Sequence, residues 1–141
     1  MTTTETQQNH NRWLRAIGYG VLAEICTIIT IILIVTIYKY GIARGLSREA
    51  YDAFGQKVGA AVGIVGGTLF VYALSRFLMR RISANFIAHG IVVAVVATAV
   101  SILGSIAGHQ GVPLGYAFAS ILKLLAGWFA GFQRGKPAIA T

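Results

Sequence analysis

"GVPLGYAFASILKLLAGWFAG" (residues 111–131) is an apolar run with one charged side chain, Lys123, near its middle. As an α-helix rising 1.5 Å per residue it is about 31 Å long, which matches the roughly 30 Å hydrocarbon core of a bilayer. Pro113 suits the first turn of such a helix, where its missing N–H has no intrahelical partner to lose. Projected at about 100° per residue, Tyr116, Ala119, Ser120, Lys123, Ala126, Gly127 and Ala130 fall around the lysine, and Phe118, Leu125, Trp128, Phe129 and Phe132 fall opposite. Bulky apolar groups suit lipid and small or polar ones suit a protein neighbour, so the lysine is expected to face inward. There its ammonium must find a counter-ion, reach a water-filled cavity or lose its proton.

The chain offers one counter-ion at the right depth. Glu24, in "GYGVLAEICTIIT" (residues 18–30), is the only acidic residue within an apolar run, and Gly20, Glu24 and Thr27 share one helix face. With both termini on one side of the membrane, Glu24 and Lys123 each lie roughly 14 to 15 Å from their helix ends, close to the midplane. Either charge alone would cost roughly 2.5 to 3.5 kcal/mol to insert, so pairing is the cheapest arrangement. Such a pair is either a buried clasp that fixes which helix faces which, or the working part of a polar pathway. The segment "GVLAE" (residues 20–24) resembles the first helix of the small multidrug-resistance transporters, in which a membrane glutamate takes up protons and cationic substrates in turn. The resemblance covers about a dozen residues, those chains tend to be shorter, and a lysine beside the glutamate would repel a cation. No function is carried over from it.

Around these two runs the composition is that of a membrane protein. Of 141 residues, 56% are hydrophobic and 11% charged, and the mean hydropathy of +0.71 is too high for an ordinary soluble domain. The fold expected is all-α, a polytopic four-helix transmembrane bundle. Residues 1–11 read as a disordered polar tail, residues 12–133 as the transmembrane domain and residues 134–141 as a C-terminal tail. The helices are expected at about 14–38, 54–79, 84–107 and 113–132. Arg12 and Arg15 precede the first run as they would in a signal peptide, but that run outlasts an h-region of roughly 7 to 15 residues, so it is expected to be retained. The β-branched "CTIITIILIVTI" (residues 26–37) would suit a strand in water; in lipid a lone strand leaves its backbone unpaired and a helix wins. Trp13, Tyr38 and Tyr40 stand at its ends like an aromatic belt. Between the first two spans, "KYGIARGLSREAYDAFGQK" (residues 39–57) is amphipathic, with Ser47 placed to cap a helix and Arg48 and Asp52 spaced for an i,i+4 contact. Short turns are expected to join helices two to three and three to four as hairpins.

The net charge of +8 is carried by residues flanking the apolar runs. Arg12, Arg15, Arg76, Arg80, Arg81, Arg134 and Lys136 fall on the side of the termini, and Lys39, Arg44, Arg48 and Lys57 on the other, so both termini are expected in the cytoplasm, in the plasma membrane. The expected partners are the bilayer and its anionic headgroups, not nucleic acid. The single cysteine, Cys26, can form no internal disulfide.

Small residues recur every fourth position in two helices: Gly55, Gly59, Gly63 and Gly67 in the second, and Gly115, Ala119, Lys123, Gly127 and Gly131 in the fourth. Such ladders allow close approach of another helix. Arg76 and His89 lie at similar depths near the cytoplasmic face, Arg76 as a snorkelling anchor and His89 as an interfacial residue, and together they could line a vestibule. No spacing suggests a metal site, a cofactor site, a nucleophile elbow or a phosphate loop, so an enzyme is not expected. The function expected is an accessory or assembly protein that packs through its glycine ladders, as a homo-oligomer or as a subunit of a larger membrane complex. The alternative is a small transporter or channel that uses Glu24 and Lys123.

Overall fold

The computed structural model describes residues 3–107 and 114–135. Its helices are α1 (Thr3–Ile37), continued by a wider π turn over Tyr38–Ile42; α2 (Arg48–Ala61), continued through a π turn over Val62–Gly66 into α3 (Gly67–Met79); α4 (Phe86–Ala107); and α5 (Leu114–Gly135). Four stretches are long and apolar enough to cross a membrane: Asn11–Ile42, Arg48–Met79, Phe86–Ala107 and Gly115–Gly135. The all-helical, four-span architecture is therefore as the sequence led us to expect. Pro113 and the tail beyond Gly135 lie outside the described residues.

Local chemistry accounts for the helices. The hydroxyls of Thr27 and Thr30 donate back to the carbonyls of Ala23 (2.9 Å) and Cys26 (2.8 Å), so both satisfy their polar groups inside their own helix. Ser47 caps α2 by accepting from the Ala50 amide at 3.4 Å. Arg48 and Asp52, both exposed, form no ion pair. One boundary differs from expectation: α1 begins at Thr3, so its backbone is helical through much of the stretch read as a disordered tail. Residues 3–11 contain no proline or glycine to stop the helix from extending back.

The spans form a four-cornered bundle in which α1 packs against α3 and α4, and α5 packs against the same two. Helices α3 and α4 touch only lightly although six residues separate them, so they sit on a diagonal, and α1 and α5 occupy the other. The expected hairpin of helices two and three is thus corrected: the turn carries the chain across the bundle. Asn85, at φ 56°, takes the left-handed conformation that this turn requires. What draws α4 away from α3 is a set of close approaches elsewhere. A Cβ on Gly90 would strike the Gly127 carbonyl of α5, and one on Gly20 of α1 would lie 2.7 Å from the Val93 carbonyl.

Those contacts also fix levels. Trp13 stacks on His89 and Gly20 meets Val93 and Val96, so α1 and α4 run parallel and Ala107 ends level with about residue 31. The first span therefore overshoots α4 by about 11 residues, or roughly 16 Å. In that overshoot it pairs with α2 through a Tyr38–Phe54 stack (ring centroids 3.7 Å apart). The Tyr51 hydroxyl pins the connecting turn by donating to the Ala43 carbonyl (2.6 Å) and accepting from the Leu46 amide (3.2 Å). The buried apolar side chains lie at the other end: Ala16, Ala23, Val71, Leu78, Met79, Ile82, Val93, Ala94, Ala97 and Ala130. α2 has no buried residue.

Candidate functional site: a buried ion pair across the bundle

Lys123 of α5 and Glu24 of α1 are 3% and 7% exposed, and Lys123 Nζ lies 2.9 Å from Glu24 Oε2. The ammonium also donates to Ser101 Oγ of α4 at 2.7 Å. α3 contributes by having no side chain: a Cβ on Gly67 would sit 2.8 Å from Lys123 Cε and 3.7 Å from Thr27 Oγ1. Every span thus touches this centre, and its salt bridge joins the two helices on the bundle's diagonal. In a medium of low dielectric an unpaired charge is costly, whereas a paired and hydrogen-bonded one holds its neighbours in register.

The helix projection of α5 agrees with the burial. Lys123, Gly127 and Ala130 are buried, Tyr116, Ala119, Ser120 and Ala126 are half-buried, and Phe118, Leu125, Trp128, Phe129 and Phe132 are exposed. Ser101 was not expected as a ligand of the lysine. The signal was there in the seam of Thr98, Ser101 and Ser105 along α4, but a serine seam does not say which neighbour it faces.

The glycine ladders divide. Gly67, Gly127 and Gly131 are close-packed, Gly127 against Gly90 and Gly131 against the Ile87 backbone, where a Cβ would lie 2.6 Å from the Ile87 Cα. A Cβ on Gly59, Gly63 or Gly115 would meet nothing within 4 Å, and one on Gly55 would only graze Val35 at 4.0 Å. Gly59 and Gly63 are thus half-buried beside α1 and α5 without being close-packed. Gly20 and Gly90, which belong to neither ladder, are two of the tightest approaches instead.

His89 is corrected from an interfacial residue to a buried one. It is 1% exposed, stacked on Trp13 with centroids 4.3 Å apart and planes at 12°. Its Nδ1 lies 2.9 Å from the Asn85 carbonyl oxygen; a carbonyl can only accept, so Nδ1 carries the proton. Nε2 is buried without a hydrogen-bond partner among the described residues. Arg76 is exposed, and no hydrogen bond joins it to His89. A shallow apolar depression nearby is lined by Asn85, Phe86, Ile87, Ala88, Ile91 and glycines of α5, and by neither Arg76 nor His89. Among the described residues no three His, Cys, Asp or Glu side chains gather as a metal site would need. Comparison with protein-family models, with curated proteins and with solved structures gives no match.

Proposed function

We propose that this chain is a non-catalytic membrane protein of the accessory or assembly type, working as a homo-oligomer or as a subunit of a larger membrane complex. The observation that carries the reading is the division of the glycines. Gly67, Gly127 and Gly131 are consumed by packing within the bundle, while Gly59 and Gly63, four residues apart on α2 and the following turn, have no side chain filling the space beside them. A small-residue face of that kind permits close approach of another helix in lipid. The Glu24–Lys123 pair then acts as an internal clasp that holds the bundle while the space beside those glycines is left for a second helix. The arginine distribution supports a plasma-membrane protein with cytoplasmic termini, whose Arg80 and Arg81, both exposed, meet anionic headgroups.

The test is the mass of the particle extracted with its native lipid in polymer-bounded discs. A complex larger than one chain is expected for the wild type, and a single chain for Gly59→Leu, Gly63→Leu with unchanged thermal stability. A wild-type particle holding one chain alone contradicts the reading. The other reading, a small transporter or channel built on the same pair, is favoured by one feature: among the described residues, the fully buried apolar side chains lie on one side of Glu24 and Lys123 only.

A further inference from the structure

The inner faces of α4 and α5 change character at the ion pair. On α4, Gly90, Ala94 and Ala97 are buried below Ser101, and Ser105 continues the same face above it. On α5, Ala130 and Gly127 are buried below Lys123, and Ser120 and Tyr116 follow above, half-buried. Helical geometry puts each set on one stripe. Below the pair, Ala16, Val71, Leu78, Met79 and Val93 close the bundle. Above it, Ser105 is the one buried side chain on these two stripes among the described residues. On the facing span, one turn above Gly67, a Cβ on Gly63 would find no atom within 4 Å, so the π turn leaves open space there. Glu24 and Ser101 take two of the three N–H donors of the ammonium, leaving the third for water.

From this we infer that the Glu24–Lys123 pair is the closed end of a water-filled crevice that opens on the side of the α1–α2 turn, walled by the hydroxyls of Ser101, Ser105, Ser120 and Tyr116. Its ligand is water, which the third N–H of the ammonium can meet. The inference deepens the transporter reading, and it shares with the assembly reading the open space beside Gly63.

Single-cysteine variants on a Cys26→Ser background test it, in sealed liposomes, with a charged membrane-impermeant methanethiosulfonate added to one face. Leu46→Cys, in the α1–α2 turn, reports which face is exposed to the reagent. Ser120→Cys and Ser105→Cys are expected to react from the Leu46 side at least about tenfold faster than Leu103→Cys at a comparable depth facing lipid, because an apolar setting suppresses the reactive thiolate about tenfold per unit of raised thiol pKa. Ala97→Cys, below the pair, is expected to react from neither side. Serine and cysteine are nearly isosteric; should Ser105→Cys not fold, Ser120→Cys alone decides. Crevice cysteines that react no faster than Leu103→Cys, or from both faces alike, overturn the crevice. Neither result depends on the particle mass that tests assembly.

Discussion

The ammonium of Lys123 reaches across the bundle to the carboxylate of Glu24 at 2.9 Å, linking two helices, α5 and α1, that sit at opposite corners rather than side by side. Apolar packing in lipid gains little from the hydrophobic effect, because lipid tails are as apolar as leucine, so close backbone approach and polar contacts decide which helices meet. In this chain glycines set the neighbours and the ion pair sets the diagonal.

Ser101 makes the third contact of that centre, and its loss is predicted to be felt. Ser101→Ala removes a hydrogen bond to a charged group, expected to cost about 1.5 to 3 kcal/mol. Unfolding in mixed detergent is the measurement; a variant as stable as the wild type would show that the Ser101 contact does not support the lysine.

Close-packed and open glycines should respond oppositely to an added methyl group. Gly90→Ala and Gly127→Ala each force a Cβ into the facing backbone and are expected to lose about 1 to 3 kcal/mol or more. Gly59→Ala and Gly115→Ala meet nothing and are expected to leave the monomer's stability unchanged or raise it by up to about 1 kcal/mol. Melting temperatures of the four variants, compared in one detergent, check the contrast.

The stack of half-buried Trp13 on buried His89 predicts coupling between the two residues. Trp13→Ala and His89→Ala should each destabilise, and together by less than their sum, with a coupling of about 0.5 to 1.5 kcal/mol. Strict additivity would mean that the rings do not meet.

At the far tip, Tyr51→Phe removes the hydroxyl that bonds Ala43 and Leu46. Hydrogen exchange at residues 43–47 is expected to accelerate while the α4 amides keep their protection. No change in the turn would mean that the hydroxyl does not hold it.

Span number, the inward face of α5 and the partner of Lys123 were all legible in the sequence, because each follows from a period, a length or the scarcity of charge in apolar runs. Lys123 could pair within the span region only with Glu24, and 1.5 Å per residue put them level. Neighbour relations were not legible. The repeat of Gly55, Gly59 and Gly63 is as regular as any in the chain, yet Gly20 and Gly90, single glycines with no ladder, make the tighter contacts. A GxxxG spacing states what a helix face permits, not what meets it. The burial of His89 was missed for the same reason: its ring is covered by Trp13, a residue of a different helix that the sequence reading placed at the lipid interface.

The most direct test of the account is a double-mutant cycle on Glu24→Gln and Lys123→Met, read as unfolding free energy in one detergent mixture. Each single change strands a buried polar partner and is expected to cost about 3 to 5 kcal/mol, with the double variant recovering much of that loss. Two single variants as stable as the wild type, or losses that add without coupling, would contradict the meeting of carboxylate and ammonium at the centre of the bundle.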